Sequence, residues 1–192
     1  MTEEGWLACT DPRRMLEFIQ IRASDRKLRL FAVGCFKRLK SDFWTGPALT
    51  AIEFAERYAD GSATRTELSH AVQEGLGISI ARAARRSGLA FAWAAVEYYL
   101  WAKYSPTAQA HLLDEVFGNP FRPVTADPRW LTSTVISIAQ SIDADHAFDR
   151  LPILADALEE AGCDNPDVLN HLRGDGLHVK GCWAVDLVLR RE

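Results

Sequence analysis

The sequence predicts an all-α fold, and three observations predict it. Apolar residues recur at helical spacing through most of the chain, and no stretch alternates apolar with polar between turn residues. A capping side chain followed by proline marks a helix start at Thr10-Asp11-Pro12, and Pro106 and Pro166 open two more. The composition of the 192 residues, 48% hydrophobic and 25% charged with six Trp and nine Phe, supplies one well-buried core. The expectation is a single compact domain over residues 1–192, of about eight to ten helices judged from cap and period signals. Its one long loop, 118–132, carries Pro120, Pro123 and Pro128 and is the only plausible internal boundary.

After Pro12, Met15, Phe18 and Ile19 give the first helix its apolar face. Ser24 caps a second helix running to about Lys40, with Leu28, Phe31, Ala32, Cys35 and Leu39 on one stripe. A third spans Pro47 to Ala59, with Leu49, Ile52 and Ala55 inward, Glu53 and Arg57 paired outside, and Asp60-Gly61 as its stop. The fourth begins near Thr66 and is bent or broken by Gly75 and Gly77 before it resumes over Ile78–Arg86. Leu89–Lys103 is apolar almost all round, which predicts the central helix. A sixth runs from Pro106 to Phe117-Gly118, and three more cover Ser133–Asp143, Asp149–Ala161 and Pro166–Leu172. An apolar helix from about His178 to Arg190 closes the chain.

Charge and targeting signals narrow the function classes. The formal net charge of −4 gives no global field favouring nucleic acid or an anionic membrane. The start, Met1-Thr-Glu-Glu-Gly-Trp6, lacks the basic-then-apolar pattern of a secretory signal. The longest apolar stretch, Leu89–Ala102, is interrupted by Glu97 and falls short of the roughly 20 residues a bilayer requires. A cytoplasmic protein with reduced thiols is the expectation, so its four cysteines are open to packing, metal or redox roles.

Cys163, His171, His178 and Cys182 crowd the last thirty residues and form the candidate metal site. His178 and Cys182 are four apart, which on a helix puts them one turn apart on one face. Zinc accepts thiolate and imidazole together in a tetrahedral shell, and four protein ligands would make a structural site. Asp186 falls a further turn along, where it could orient a ligand. The irregular Cys-x7-His-x6-His-x3-Cys spacing favours a plainer reading. In it both cysteines are small buried hydrophobes, and the histidines sit at helix ends or face water.

Other clusters have similar plain counterparts. Asp143, Asp145, His146 and Asp149 could hold a cation or do acid–base work, but aspartates between two helices more often end one and cap the next. Arg22, Arg26, Arg29, Lys37 and Lys40 line one side of the second helix, and Arg82, Arg85 and Arg86 add a basic knot. Such a face could contact phosphates, yet no aromatic is interleaved, and a charged outer face suits any surface helix. Glu97 lies among aromatics and should pair with an arginine of the preceding segment, and Arg122 should be a buried loop arginine. No phosphate-cradling glycine loop, nucleophile elbow, H-E-x-x-H or dinucleotide fingerprint is present.

Several blocks carry a resemblance. Trp6-Leu-Ala-Cys-Thr-Asp-Pro12, Ser24-Asp-Arg-Lys-Leu-Arg-Leu-Phe31 and Phe117-Gly-Asn-Pro-Phe-Arg-Pro-Val124 resemble segments of a family of short bacterial helical proteins. So do Leu151-Pro-Ile-Leu-Ala-Asp-Ala-Leu-Glu-Glu-Ala-Gly-Cys163 and His178-Val-Lys-Gly-Cys-Trp183. The likeness covers nearly the whole chain and implies no activity, because none is known for that family. Its members often carry extra cysteines where this chain has Ala32-Val-Gly-Cys35-Phe-Lys, which counts against a metal site in the N-terminal half. The functional expectation is therefore a non-enzymatic interaction or regulatory module, with an unidentified protein partner and a C-terminal site for structural zinc. The alternatives are an enzyme using the Asp143–Asp149 or Cys/His cluster, and a nucleic-acid binder using the second helix.

Overall fold

Several helix starts follow caps that the sequence supplies. A computed structural model describes residues 1–38, 46–73, 87–101 and 105–191, without the side chains of 46–48, 72–73 and 99–101. Lys40, Gly75, Gly77, Arg82, Arg85 and Arg86, and the expected helix over 78–86, lie outside these residues. Among the described residues there are eleven α-helices and no strand. The all-α expectation is met. No helix among them is long and apolar enough to cross a membrane.

The first helix, α1 (Glu3–Leu7), is one the sequence does not announce. Thr2 Oγ1 accepts from Gly5 N at 3.1 Å, and Trp6 is its single buried side chain. Asp11 and Pro12 open α2 (Pro12–Ile19), and Ser24 Oγ accepts from Lys27 N at 3.2 Å in α3 (Asp25–Arg38). After α4 (Gly46–Ala59) comes a reciprocal cap at the start of α5 (Arg65–Gln73). Thr64 Oγ1 accepts from Glu67 N, while the Glu67 carboxylate accepts from Thr64 N at 2.7 Å. Those Thr64 donors hold the Glu67 carboxyl below its ordinary range. Ser87 caps α6 (Gly88–Trp101), and α7 (Pro106–Phe117) ends at Gly118, whose φ of 65° needs glycine. The remaining helices are α8 (Ser133–Asp145), α9 (Leu151–Glu160), α10 (Pro166–Arg173) and α11 (Trp183–Leu189).

The chain divides into two compact units, Met1–Phe121 and Arg122–Glu192. The division falls inside the proline-bearing loop. In the first unit α3 has neighbours on several sides: α6, α4 and α7 all pack against it. Every residue from Lys27 to Phe36 is buried as a result. The helix expected at the centre, now α6, lies along α3 and contributes Phe91, Ala92, Ala95 and Val96, with the Phe36 and Phe91 rings stacked at 5.4 Å. Among the described residues α3 is thus the more enclosed of the two. The contact is closest at Gly88, where a β-carbon would run into the Asp25 carbonyl and come within 3.1 Å of Leu28 Cβ.

The second unit is built on α8–α11. Val135, Ala139, Ile142, Leu154, Leu158, Val168, Leu172 and Val185 form its centre, with Trp130 from a short 3-10 turn at its edge. Arg122, expected to be a buried loop arginine, is exposed. Asp143 and Asp186 are the buried charges here, and Asp143 is ion-paired: Arg191 Nη1 donates to it at 2.6 Å and Lys180 Nζ lies 3.7 Å away.

Candidate metal centre

Three of the four residues singled out at the C-terminal end meet. Asn165 Oδ1 accepts from the N–H groups of Asp167 and Val168, and Pro166 presets the first turn, so α10 starts sharply. Val168, Leu169 and Leu172 face the core, which leaves His171 half-buried beside them. An irregular segment, 174–182, then leads to α11. Its Gly181 adopts φ of 91°, a left-handed conformation that turns the chain at Cys182, whose N–H bonds to Val179 O at 3.0 Å.

His171 Nε2 lies 3.2 Å from Cys182 Sγ, and a ligand atom from each of His171, His178 and Cys182 lies within 4.8 Å of the others. Two ligands on one tetrahedral zinc stand roughly 3.3–3.8 Å apart, from bonds of ~2.0–2.3 Å. The observed spacing therefore brackets what an ion would require. The His171 ring meets His178 edge-on at 5.1 Å and Trp183 at 5.0 Å, so its orientation is fixed from two sides. Cys182 is fully buried, whereas both histidines keep partial access to solvent.

The spacing logic of the sequence is corrected here. His178 and Cys182 do not share a helix, because α11 starts only at Trp183. The turn at Gly181, and not a helical repeat, brings them together. Cys182 occupies the N-cap position of α11 without forming a side-chain cap. N-caps favour Ser, Thr, Asp or Asn because a side-chain oxygen can accept from the helix start. Here the position holds a sulfur turned to an imidazole. Asp186 is buried one turn later and its N–H bonds to the Cys182 carbonyl at 3.0 Å, while its carboxylate is not among the grouped ligand atoms.

Cys163 stands apart from the group, and helix-ending geometry explains why. Gly162 N bonds to Glu159 O and Cys163 N to Leu158 O, both at 2.9 Å, with Gly162 at φ of 89°. This is the six-to-one and five-to-two closure of a glycine-terminated helix, whose following residue turns inward as an apolar contact. Cys163 is that residue, 3% exposed, and burial pushes its thiol above the ordinary range. Cys35 is likewise enclosed in the first unit, against Gln109 Nε2 at 3.6 Å, and burial pushes its thiol up to about 12. Of the four cysteines only Cys9 is half-exposed. The native chain should therefore give one fast-reacting thiol with an aromatic disulfide reagent, and four after unfolding in guanidinium. Two or more fast thiols in native protein would contradict the burial.

The acidic cluster disperses. Asp143 turns inward to Arg191, Asp145 accepts from Ser141 Oγ, His146 ends α8 in a left-handed conformation, and Asp149 is exposed. Asp149 does not cap α9, whose N-cap is Arg150 with no side-chain hydrogen bond. The basic face of α3 is largely spent within the fold. Arg26 pairs with Asp60 at 3.0 Å, Arg29 with Asp25 at 2.6 Å and Lys37 with Glu56 at 2.7 Å, while the Arg22 guanidinium lies over the Phe18 ring. Arg29 keeps only 4% of its side-chain exposure, so it has no face to offer a phosphate. Glu97 is exposed and pairs with Arg13 of α2 at 2.7 Å, not with an arginine of the segment before it.

A cleft of about 390 Å³ adjoins the centre. Phe148 lines it from the 3-10 turn before α9, Leu151 and Pro152 from the start of α9, and Gly174, Leu177 and His178 from the irregular segment. His178 belongs both to the cleft and to the ligand group. No protein family, curated protein or solved structure matches the chain.

Proposed function

We propose that residues 122–192 form a zinc-stapled module, and that the protein is a non-enzymatic interaction or regulatory protein of the bacterial cytoplasm. One observation carries the reading. Cys182, at a position where helix capping calls for an oxygen, instead sets its buried sulfur 3.2 Å from His171 Nε2, with His178 inside the same 4.8 Å group. Departures from local preference of this kind concentrate at functional sites. A thiolate with two imidazoles suits zinc better than magnesium or calcium, which select oxygen donors. Cys163 has no part in it.

The test is metal content. Tag-free protein purified without chelator should hold about one zinc per chain, and dialysis against magnesium should not displace it. Cys182→Ser and His171→Gln should each lower retention at least about tenfold, in line with loss of a zinc ligand. Cys163→Ser should retain the full complement. Protein that takes up no zinc even after incubation with it and dialysis would refute the reading. Equal retention by the Cys182→Ser variant would do so as well.

A further inference from the structure

We infer that metal occupancy sets the shape of the neighbouring cleft, so that the 174–178 stretch is a metal-responsive element of the second unit. The inference rests on the zinc reading and extends it to regulation. The two sides of the cleft are held by different means. Leu151 and Pro152 belong to the first turn of α9, and Leu151 is fully buried in the hydrophobic centre. The other side is the 174–178 stretch, which has no regular secondary structure, includes Gly174 and Gly176, and leaves Leu177 77% exposed. That stretch lies between His171 on α10 and His178, two members of the ligand group. A ring nitrogen of His178 faces Gly174 O at 3.4 Å, a long contact across the same stretch.

An ion joining His171, His178 and Cys182 closes this segment into two short loops, 172–177 and 179–181. Closing short loops removes most of their conformational freedom. The side of the cleft that lacks a helix would then be as fixed as the side that has one.

Amide hydrogen exchange on the full chain tests this with zinc alone as the probe, against magnesium and chelator, with zinc content measured on the same samples. Zinc should slow exchange over 174–178 about tenfold or more and leave 151–158 unchanged, as expected for a local opening that the ion closes. Magnesium should do neither. His178→Gln should abolish the protection while exchange in α9 shows that the unit is still folded. If zinc is not retained, the zinc reading fails and the inference fails with it. If zinc is retained but 174–178 exchanges as before, or if His178→Gln is protected like the parent, the inference alone is overturned.

Discussion

Asp143→Ala is expected to destabilise the second unit by about 3 kcal/mol, the lower end for removing one partner of a buried ion pair. The carboxylate keeps 7% of its side-chain exposure and receives Arg191 at 2.6 Å and Lys180 at 3.7 Å. Alanine would leave Lys180, 17% exposed, without that counter-charge in a poorly solvated place. Arg191 is 37% exposed and can turn to water, which places the cost at the lower end. Asp143→Asn keeps the shape and one acceptor oxygen, so its cost should be smaller, about 1–2 kcal/mol. Urea unfolding of the three proteins checks both the size and the order. An Asp143→Ala midpoint equal to that of the parent would show the group to be solvated.

Gly88→Ala should cost the first unit about 2–3 kcal/mol even though alanine is the better helix former. Propensity favours alanine by at most ~1 kcal/mol. Against this, the new methyl would collide with the Asp25 carbonyl and crowd Leu28 Cβ at 3.1 Å. A backbone carbonyl inside α3 cannot swing aside as a side chain can, so α3 and α6 must part, and overpacking of this kind costs ~1–3 kcal/mol. Separation would also stretch the bond from Gly88 N to the Asp25 carboxylate, at 2.5 Å, and with it the clamp Asp25 makes on Arg29. Chemical denaturation followed by tryptophan fluorescence gives the value. A neutral or stabilising result would mean that the helices have room to spare.

The sequence was legible wherever a local rule decides the structure. Asp11-Pro12, Pro106 with Gly118, and Pro166 mark helix ends correctly because caps, fixed proline φ and left-handed glycine act within one turn. Thr64 and Glu67 carried a capping-box signal that places the α5 start at Arg65, one residue earlier than the apolar pattern suggested. Ala161-Gly162-Cys163 likewise contained the signal that makes Cys163 an inward-turned helix-end residue. The α1 helix escaped because five residues with one buried Trp show no periodicity.

The site was legible in three of its four expected members and illegible in its cause. His171, His178 and Cys182 were rightly grouped, but a four-residue spacing was read as a helix where Gly181 makes a turn. The basic stripe of α3 was legible as a stripe but not in its surroundings. Periodicity tells which residues share a face, not whether that face meets water or the carboxylates of Glu56 and Asp60. Only tertiary placement settles that.

The break between Phe121 and Arg122 has a consequence for biosynthesis. Phe121 stacks on Phe18 at 5.2 Å, whereas every member of the second hydrophobic cluster lies between Val124 and Leu189. That cluster therefore assembles from one uninterrupted stretch, with short sequence separations between its parts. Such segments fold quickly, because little chain must be searched before partners meet. A newly made chain should complete α8–α11 promptly once they have been translated, with few apolar side chains left waiting for a distant counterpart.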